Sequence, residues 1–242
     1  MQIGQTTRRW RKLSKIAVCV PFYPWYREHD RTNDIFEALI ASMLKVKYYH
    51  LLSLSIVDCG IRDVWGRDRV HDADAFLERL SEEWPFELIY SFQDFFVDNR
   101  WHLARSVQHA VMQSAGEFIF LSGTDIILPK NFVEMYHSKV RKKREVWVPF
   151  AYNILRGAPW EIPKNPPVGF TWHTAKGIVG LSKDDFTTVG GYPMDRIKDH
   201  SDSDFYHRVK SRFHVNEEKC ESMFHLAHPG SHASRIWDVS QL

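Results

Sequence analysis

A chain of 242 residues, 44% hydrophobic and 26% charged, is large enough to bury one substantial core or two small ones. Its formal charge of +2 is too small for a nucleic-acid footprint, and no apolar run nears the ~18 residues that a membrane span needs. The N-terminus, where Trp10 stands among basic residues, lacks a signal peptide's apolar centre, so the expectation is one cytoplasmic domain over 1–242. The basic cluster Arg8, Arg9, Arg11, Lys12 and Lys15 reads as a solvated terminus, with weak contact to an anionic membrane surface as the second reading. Cys19, Cys59 and Cys220 have no metal-ligand spacing and are expected to be reduced thiols.

The first element is a strand over Lys15 to Phe22, where Ile16, Val18 and Val20 alternate with Ala17 and Cys19 in a run apolar on both faces. Asp34 followed by Glu37 predicts a capped helix carrying Ile35, Phe36, Leu39, Ile40, Met43 and Leu44 at helical spacing. Strands are predicted over Leu52 to Val57 and Phe86 to Tyr90, with a helix between them at Ala73 to Leu80. A further helix, Trp101 to Met112, is stopped by Gly116 ahead of the strand Phe118 to Leu121. That alternation predicts an α/β fold, a mostly parallel sheet with helices on its faces and ligands at the carboxyl ends of its strands. Beyond a Pro-rich connection from Gly157 to Phe170 come a strand at Gly177 to Leu181 and a short helix capped by Ser182 and ended by Gly190-Gly191.

Asp125 stands just past the strand Phe118 to Leu121. Alone, Gly123-Thr124-Asp125 is ordinary turn chemistry. The surrounding run Ala104-Arg105, Ala115-Gly116-Glu117, Phe118 to Leu121, Gly123-Thr124-Asp125 and Pro129 resembles nucleotide-sugar glycosyltransferases of the GT-A fold, particularly family 2 and the galactosyltransferase-like family 7. That group carries an Asp-x-Asp motif here, whose second aspartate is commonly the direct ligand of Mn²⁺ or Mg²⁺. The resemblance therefore gives Asp125 that role. Gly123 stands where the first aspartate would be, which leaves the site one carboxylate short and predicts weak metal affinity.

Gly177-Ile-Val-Gly-Leu-Ser-Lys-Asp-Asp-Phe-Thr-Thr-Val-Gly-Gly-Tyr192, followed by Ser201-Asp-Ser-Asp-Phe-Tyr-His-Arg208, is similar to the acceptor-side signature of the galactosyltransferase-like enzymes. Asp202 then aligns with the catalytic base of inverting members, and Asp204 falls on the acceptor side. Both would also suit the first turn of a helix. Metal-using members take another ligand from a histidine in the region of Phe224 to His232, which points to His228 first, His225 second and His232 last.

Donor contacts implied by the resemblance are Pro21, Tyr23, Asp58, Arg105 and Thr124, with Asp58 placed for a base imide and Arg105 for a base or diphosphate. For Asp58 a strand-ending turn, and for Arg105 a helix salt bridge, are the alternatives. Trp160, Trp172 and Tyr192 are the aromatic platforms on which an acceptor sugar could stack, or anchors of a lid to the core.

The resemblance covers roughly Lys15 to Arg235. It implies a nucleotide-sugar half over about 15–130 and an acceptor and metal-completing half over about 131–242. The implied partners are a nucleoside-diphosphate sugar, with UDP as carrier, and a glycan-type acceptor. Two other readings stand: a sugar-phosphate nucleotidyltransferase, which would want a Gly-rich phosphate loop where Pro21-Phe-Tyr-Pro-Trp25 stands, and a non-catalytic sugar-nucleotide or glycan-binding module.

Overall fold

The computed structural model describes residues 13–22, 32–58, 85, 87–93, 96–97, 100–154, 172–173, 176–194 and 201–226. The predicted helix at Ala73 to Leu80 and the Pro-rich connection lie outside them. The strands are β1 (Ile16–Phe22), β2 (Leu52–Asp58), β3 (Glu87–Phe92), β4 (Phe96–Val97), β5 (Arg100–Trp101) and β6 (Phe118–Leu121). They continue as β7 (Ile126–Ile127), β8 (Glu145–Ile154), β9 (Trp172–His173), β10 (Val179–Ser182) and β11 (His214–Leu226). The helices are α1 (Thr32–Leu44), α2 (Leu103–Gln113), α3 (Phe132–Lys139), α4 (Lys183–Thr188) and α5 (Ser201–Arg212).

One sheet runs in the order β3-β2-β1-β6-β10-β8-β11-β7, with β9 against β8, while β4 and β5 form a separate hairpin. Neighbours from β3 through β6 are parallel, as the alternation predicts, and β10 joins them antiparallel with Val179 opposite Leu121. On the far side β8 and β11 are parallel to each other.

Alternation along β1 explains its continuous apolar run. Ile16, Val18 and Val20 enter a core shared with α1 and α3, while Ala17 and Cys19 enter a second core against α2, α4 and α5. A strand buried on both faces favours apolar side chains on each. Phe118 and Phe120 of β6 likewise face the first core, and Ile119 and Leu121 the second.

Helix α1 begins at Thr32, so Asp34 lies within its first turn rather than ahead of it, a place that suits a carboxylate as well as a cap does. The longer strands β8 and β11 have no counterpart in the sequence reading. Pro149 interrupts β8 as a local signal, yet the pairing with β11 runs on through it with Glu218 opposite Pro149, while on the other flank β10 pairs at Trp147 and β9 at Ala151. β11 reads as polar because it carries Glu217, Glu218, Lys219 and Glu221 along its first two thirds and turns fully buried only from Met223 onward.

Tyr136 of α3, wholly buried, joins the antiparallel pair: its hydroxyl lies 2.9 Å from the Ile119 carbonyl and 2.8 Å from that of Leu181, and shares its hydrogen between them. Gly180 makes room for that ring, since a Cβ there would stand 2.7 Å from Tyr136 Cε2. Gly180→Ala is therefore expected to destabilise the protein by roughly 1–3 kcal/mol through overpacking. A melting temperature lower by several degrees in calorimetry would bear this out, and an unchanged one would show that α3 can shift at no cost.

Candidate functional site

The carboxyl ends of β1, β2 and β6 define one edge of the sheet. Phe22 pairs with Asp58 at the ends of β1 and β2, and Cys19 pairs with Leu121 at the end of β6. Pro21 and Asp58 therefore lie at the edge from which Ser122 to Asp125 emerges. The amide of Ser122 is held by the Cys19 carbonyl at 3.1 Å, which ties the start of that loop to β1.

After the loop the chain enters the short strand β7, which pairs antiparallel with the end of β11 so that His225 stands opposite Ile126. The Leu226 amide also donates to the Asp125 carbonyl at 2.8 Å. These backbone pairings bring His225 Nε2 to 2.9 Å from Asp125 Oδ2, with the histidine side chain 3% and the aspartate side chain 14% exposed. A carboxylate oxygen and an imidazole nitrogen at this separation are two donors of the kind that Mn²⁺ accepts. Among the described residues no group of three or more His, Cys, Asp or Glu is arranged to hold an ion. Two protein donors are fewer than a cation held by protein alone needs, so an ion at this pair would have to draw its other ligands from a substrate or water.

Gly123 has a steric reason. A Cβ at that position would run into Asp125 Oδ1, because the carboxylate folds back over residue 123 while its other oxygen faces His225. The glycine that makes the motif one carboxylate short is thus the residue that this placement of Asp125 requires.

Asp202 occupies the first turn of α5 and packs on Gly177, where an added Cβ would stand 3.2 Å from Oδ2. Gly177 precedes β10, whose Val179 lies beside Leu121, so Asp202 is held at the same edge as the Asp125 loop. Burial raises the Asp202 carboxyl above its ordinary value of 3.8, and a hydrogen bond from the Tyr192 hydroxyl opposes that rise. Asp204 is partly exposed one turn-position further on.

The α4 segment that leads to Tyr192 follows the sequence expectation closely. Ser182 caps α4 by accepting the Asp185 amide at 3.1 Å, and Gly190 and Gly191 leave it with φ of +84° and +64°. Tyr192 itself departs from the expectation of a sugar-stacking platform. It is 1% exposed, its ring stacked on Phe205 in a three-ring cluster with Phe186, so burial leaves it no face to offer an acceptor.

Helix α2 leads straight into β6 and runs back along β2, where Ser55 Oγ reaches the Ala110 carbonyl at 2.7 Å. Its first turn accordingly lies at the carboxyl edge and carries Arg105, which is exposed. The sequence reading missed His102. Its Nδ1 accepts the Arg105 amide at 3.3 Å as the N-cap of α2, and its ring also hydrogen-bonds the backbone of Met194 on the way to Asp202. The side chain thus ties α2 to the turn that follows α4. Ser, Thr, Asp and Asn are the signals used for caps, which is why a capping histidine escapes notice.

Burial, and secondly the Arg105 charge, holds His102 below the ordinary imidazole value of 6.5, and burial does the same to His137. The unfolded chain then takes up protons near that value, while the folded chain does so only at lower pH. Stability should fall as pH drops through and below the unfolded value. His102→Asn keeps a capping acceptor without titrating, and is expected to flatten that acid slope in urea titrations between about pH 7 and pH 5. Equal slopes in the two proteins would remove His102 from the account.

Tyr23, Trp160, His228 and His232 lie outside the described residues. Trp172 is placed by its backbone alone, opposite Tyr152. Of the expected metal ligands the structure brings together Asp125 and His225. Thr124 sits partly buried beside them.

No protein-family model and no curated protein sequence matches the chain. Among solved structures it is similar to residues 1–349 of S. aureus TarS, a GT-A-type glycosyltransferase, with a TM-score of 0.59 at 13% identity. The alignment covers 88% of this chain and 60% of that one, so the chain spans about three fifths of that structure's length. The fold is that of the GT-A class: a mixed α/β sheet flanked by helices. No described helix is long and apolar enough to cross a membrane.

Proposed function

We propose that this chain is a metal-dependent glycosyltransferase that moves a sugar, with inversion, from a nucleoside-diphosphate sugar, UDP-linked by analogy, to a hydroxyl of a glycan-type acceptor. One observation carries the reading: a GT-A sheet edge gathers a carboxylate–imidazole pair, Asp125 and His225, and a separate, partly buried carboxylate, Asp202. The likeness of the motif that contains Asp202 to the acceptor-side signature of the galactosyltransferase-like family 7 supports this reading.

In this mechanism Asp202 accepts the proton of the acceptor hydroxyl as that oxygen forms a bond to the anomeric carbon and the bond from that carbon to the diphosphate breaks. Asp125 and His225 would hold Mn²⁺ or Mg²⁺, which supplies Lewis-acid stabilisation of the departing diphosphate. Pro21, Tyr23, Asp58, Arg105 and Thr124 are assigned to the donor, and Trp160, Trp172 and Asp204 to the acceptor.

Gly123 favours a second reading, a binding module with a reduced metal site. Incubation with a panel of UDP- and GDP-sugars and Mn²⁺, scoring released nucleoside diphosphate, separates the two. Slow hydrolysis of one donor supports the transferase. Saturable binding of a donor with no release under any metal supports the module.

A further inference from the structure

The formal charge of +2 is spread unevenly along the chain. Residues 1–15 hold five cations and no acid, and residues 139–145 hold five cations and one acid, so the remainder is net acidic. The fold brings the end of the first segment against the second. Lys15 immediately precedes β1, and the carbonyl of Ser14 lies 3.0 Å from His137 Nε2 in the last turn of α3. Arg141, Lys142, Lys143 and Arg144 then form an exposed turn into β8. The amide of His214, opposite Glu145, donates to the Arg144 carbonyl at 3.0 Å, so Arg212 ends α5 at the same place. Lys183 joins them, since it follows Ser182, which stands opposite Phe118 at the start of β6. This is the amino edge of the parallel strands, and Asp125 and Asp202 lie at the other edge.

The turn is built rather than loose. Arg144 has a φ of +68°, in the left-handed region, and is held there by the buried Asp185 carboxylate, which accepts its amide at 2.7 Å. The Arg141 amide donates to Glu145 Oε2 at 2.8 Å. Acids at this edge are fewer than cations: Glu87 pairs with Lys15 at 3.5 Å, Asp184 with Lys143 at 2.6 Å and Glu145 with Lys142 at 3.9 Å, and Glu117 is exposed.

We infer that this amino edge is a docking face for an anionic lipid bilayer, with the 141–144 turn and the N-terminal cations acting as one composite contact. A planar surface meets only the edge that faces it, and salt screens the acidic remainder beyond about 10 Å, whereas a nucleic acid wrapped on the chain would meet that remainder. By sequence Trp10 stands among the cations of the first segment, and tryptophan favours the headgroup region. Docking here turns the carboxyl edge away from the bilayer and leaves it open to a soluble donor. The inference is independent of the sugar-transfer reading.

Sedimentation with vesicles of phosphatidylcholine, alone or with about one third phosphatidylserine, tests it. The wild type should bind the anionic vesicles, leave them as salt rises from about 0.1 to about 0.5 M, and ignore the neutral ones. Arg141→Gln, Lys142→Gln and Arg144→Asn combined remove three charges, and asparagine suits the left-handed position, so the fold and its melting temperature should be kept. At about fivefold per cation, partition should fall roughly 10²-fold. Arg8→Gln, Arg9→Gln, Arg11→Gln and Lys12→Gln combined should weaken binding at least as much. Mn²⁺-supported hydrolysis of a soluble UDP-sugar should be equal in all three proteins, with or without vesicles. No binding by the wild type, wild-type binding by the turn variant, or tighter binding to double-stranded DNA than to the vesicles at the same salt overturns the docking face, and hydrolysis suppressed by vesicles overturns its orientation. If none of the proteins hydrolyses a donor, the sugar-transfer reading fails, and vesicle binding still decides the docking face.

Discussion

Asp202→Asn is expected to lower sugar transfer by about 10²–10⁴-fold, the usual contribution of a positioned general base, while leaving nucleotide binding unchanged. The amide preserves the shape that packs on Gly177 and keeps an oxygen for the Tyr192 hydroxyl, so the loss reports proton transfer rather than geometry. Because the folded carboxyl titrates above its unfolded value, the folded protein binds the extra proton over that window. Stability from this group is present at acid pH and is lost as pH rises through the raised value. The neutral amide escapes that loss, so Asp202→Asn should melt at a higher temperature than the wild type at pH 7. A less active but more stable variant is the expected signature of a carboxylate held charged for chemistry. Transfer retained at wild-type rate, measured by release of UDP from the productive donor in the presence of acceptor, would remove Asp202 from the mechanism.

The parallel half of the fold is legible in the chain because β1, β2 and β6 are each buried on two faces. β1 and β6 leave near-continuous apolar runs, β2 departs from one only at Ser53 and Ser55, whose buried hydroxyls donate to carbonyls of Ala115 and Ala110, and α2 keeps its own period. The second half is less legible for a physical reason. β11 borders other strands along much of its length but carries Glu217, Glu218, Lys219 and Glu221, so its pattern reads as polar until Met223. β8 contains Pro149, a breaker signal that tertiary pairing accommodates. The candidate site mirrors this split. Asp125 and Asp202 stand in motifs whose spacing is local, whereas the partner of Asp125 arrives from 100 residues further along the chain through a strand with no local signature. Spacing among histidines cannot rank His225 above His228, but antiparallel pairing of β11 with β7 sets His225 beside the carboxylate. For Tyr192 the sequence leaves platform and anchor both open, and its burial favours the anchor.

Asp125→Ala is expected to reduce metal-dependent turnover by roughly 10³-fold, since an ion on a departing diphosphate is worth several kcal/mol and each ~1.4 kcal/mol is tenfold in rate. The substitution also deprives His225 of its carboxylate in a site where the imidazole is almost fully enclosed, which should cost about 1–3 kcal/mol of stability. Asp125→Asn separates the two effects, because its amide oxygen can still face His225 while the negative charge is gone. Mn²⁺ binding followed by electron paramagnetic resonance, with and without UDP, should be weak in the wild type, strengthened by the nucleotide, and lost in both variants. Gly123→Asp completes the argument. Introducing the first carboxylate of an Asp-x-Asp motif is not expected to tighten Mn²⁺ binding, since the new Cβ meets Asp125 Oδ1 and forces that side chain away from His225. If Gly123→Asp instead binds Mn²⁺ more tightly with activity kept, the Asp125–His225 contact is dispensable. Metal-dependent turnover unaltered in Asp125→Ala would place the ion elsewhere.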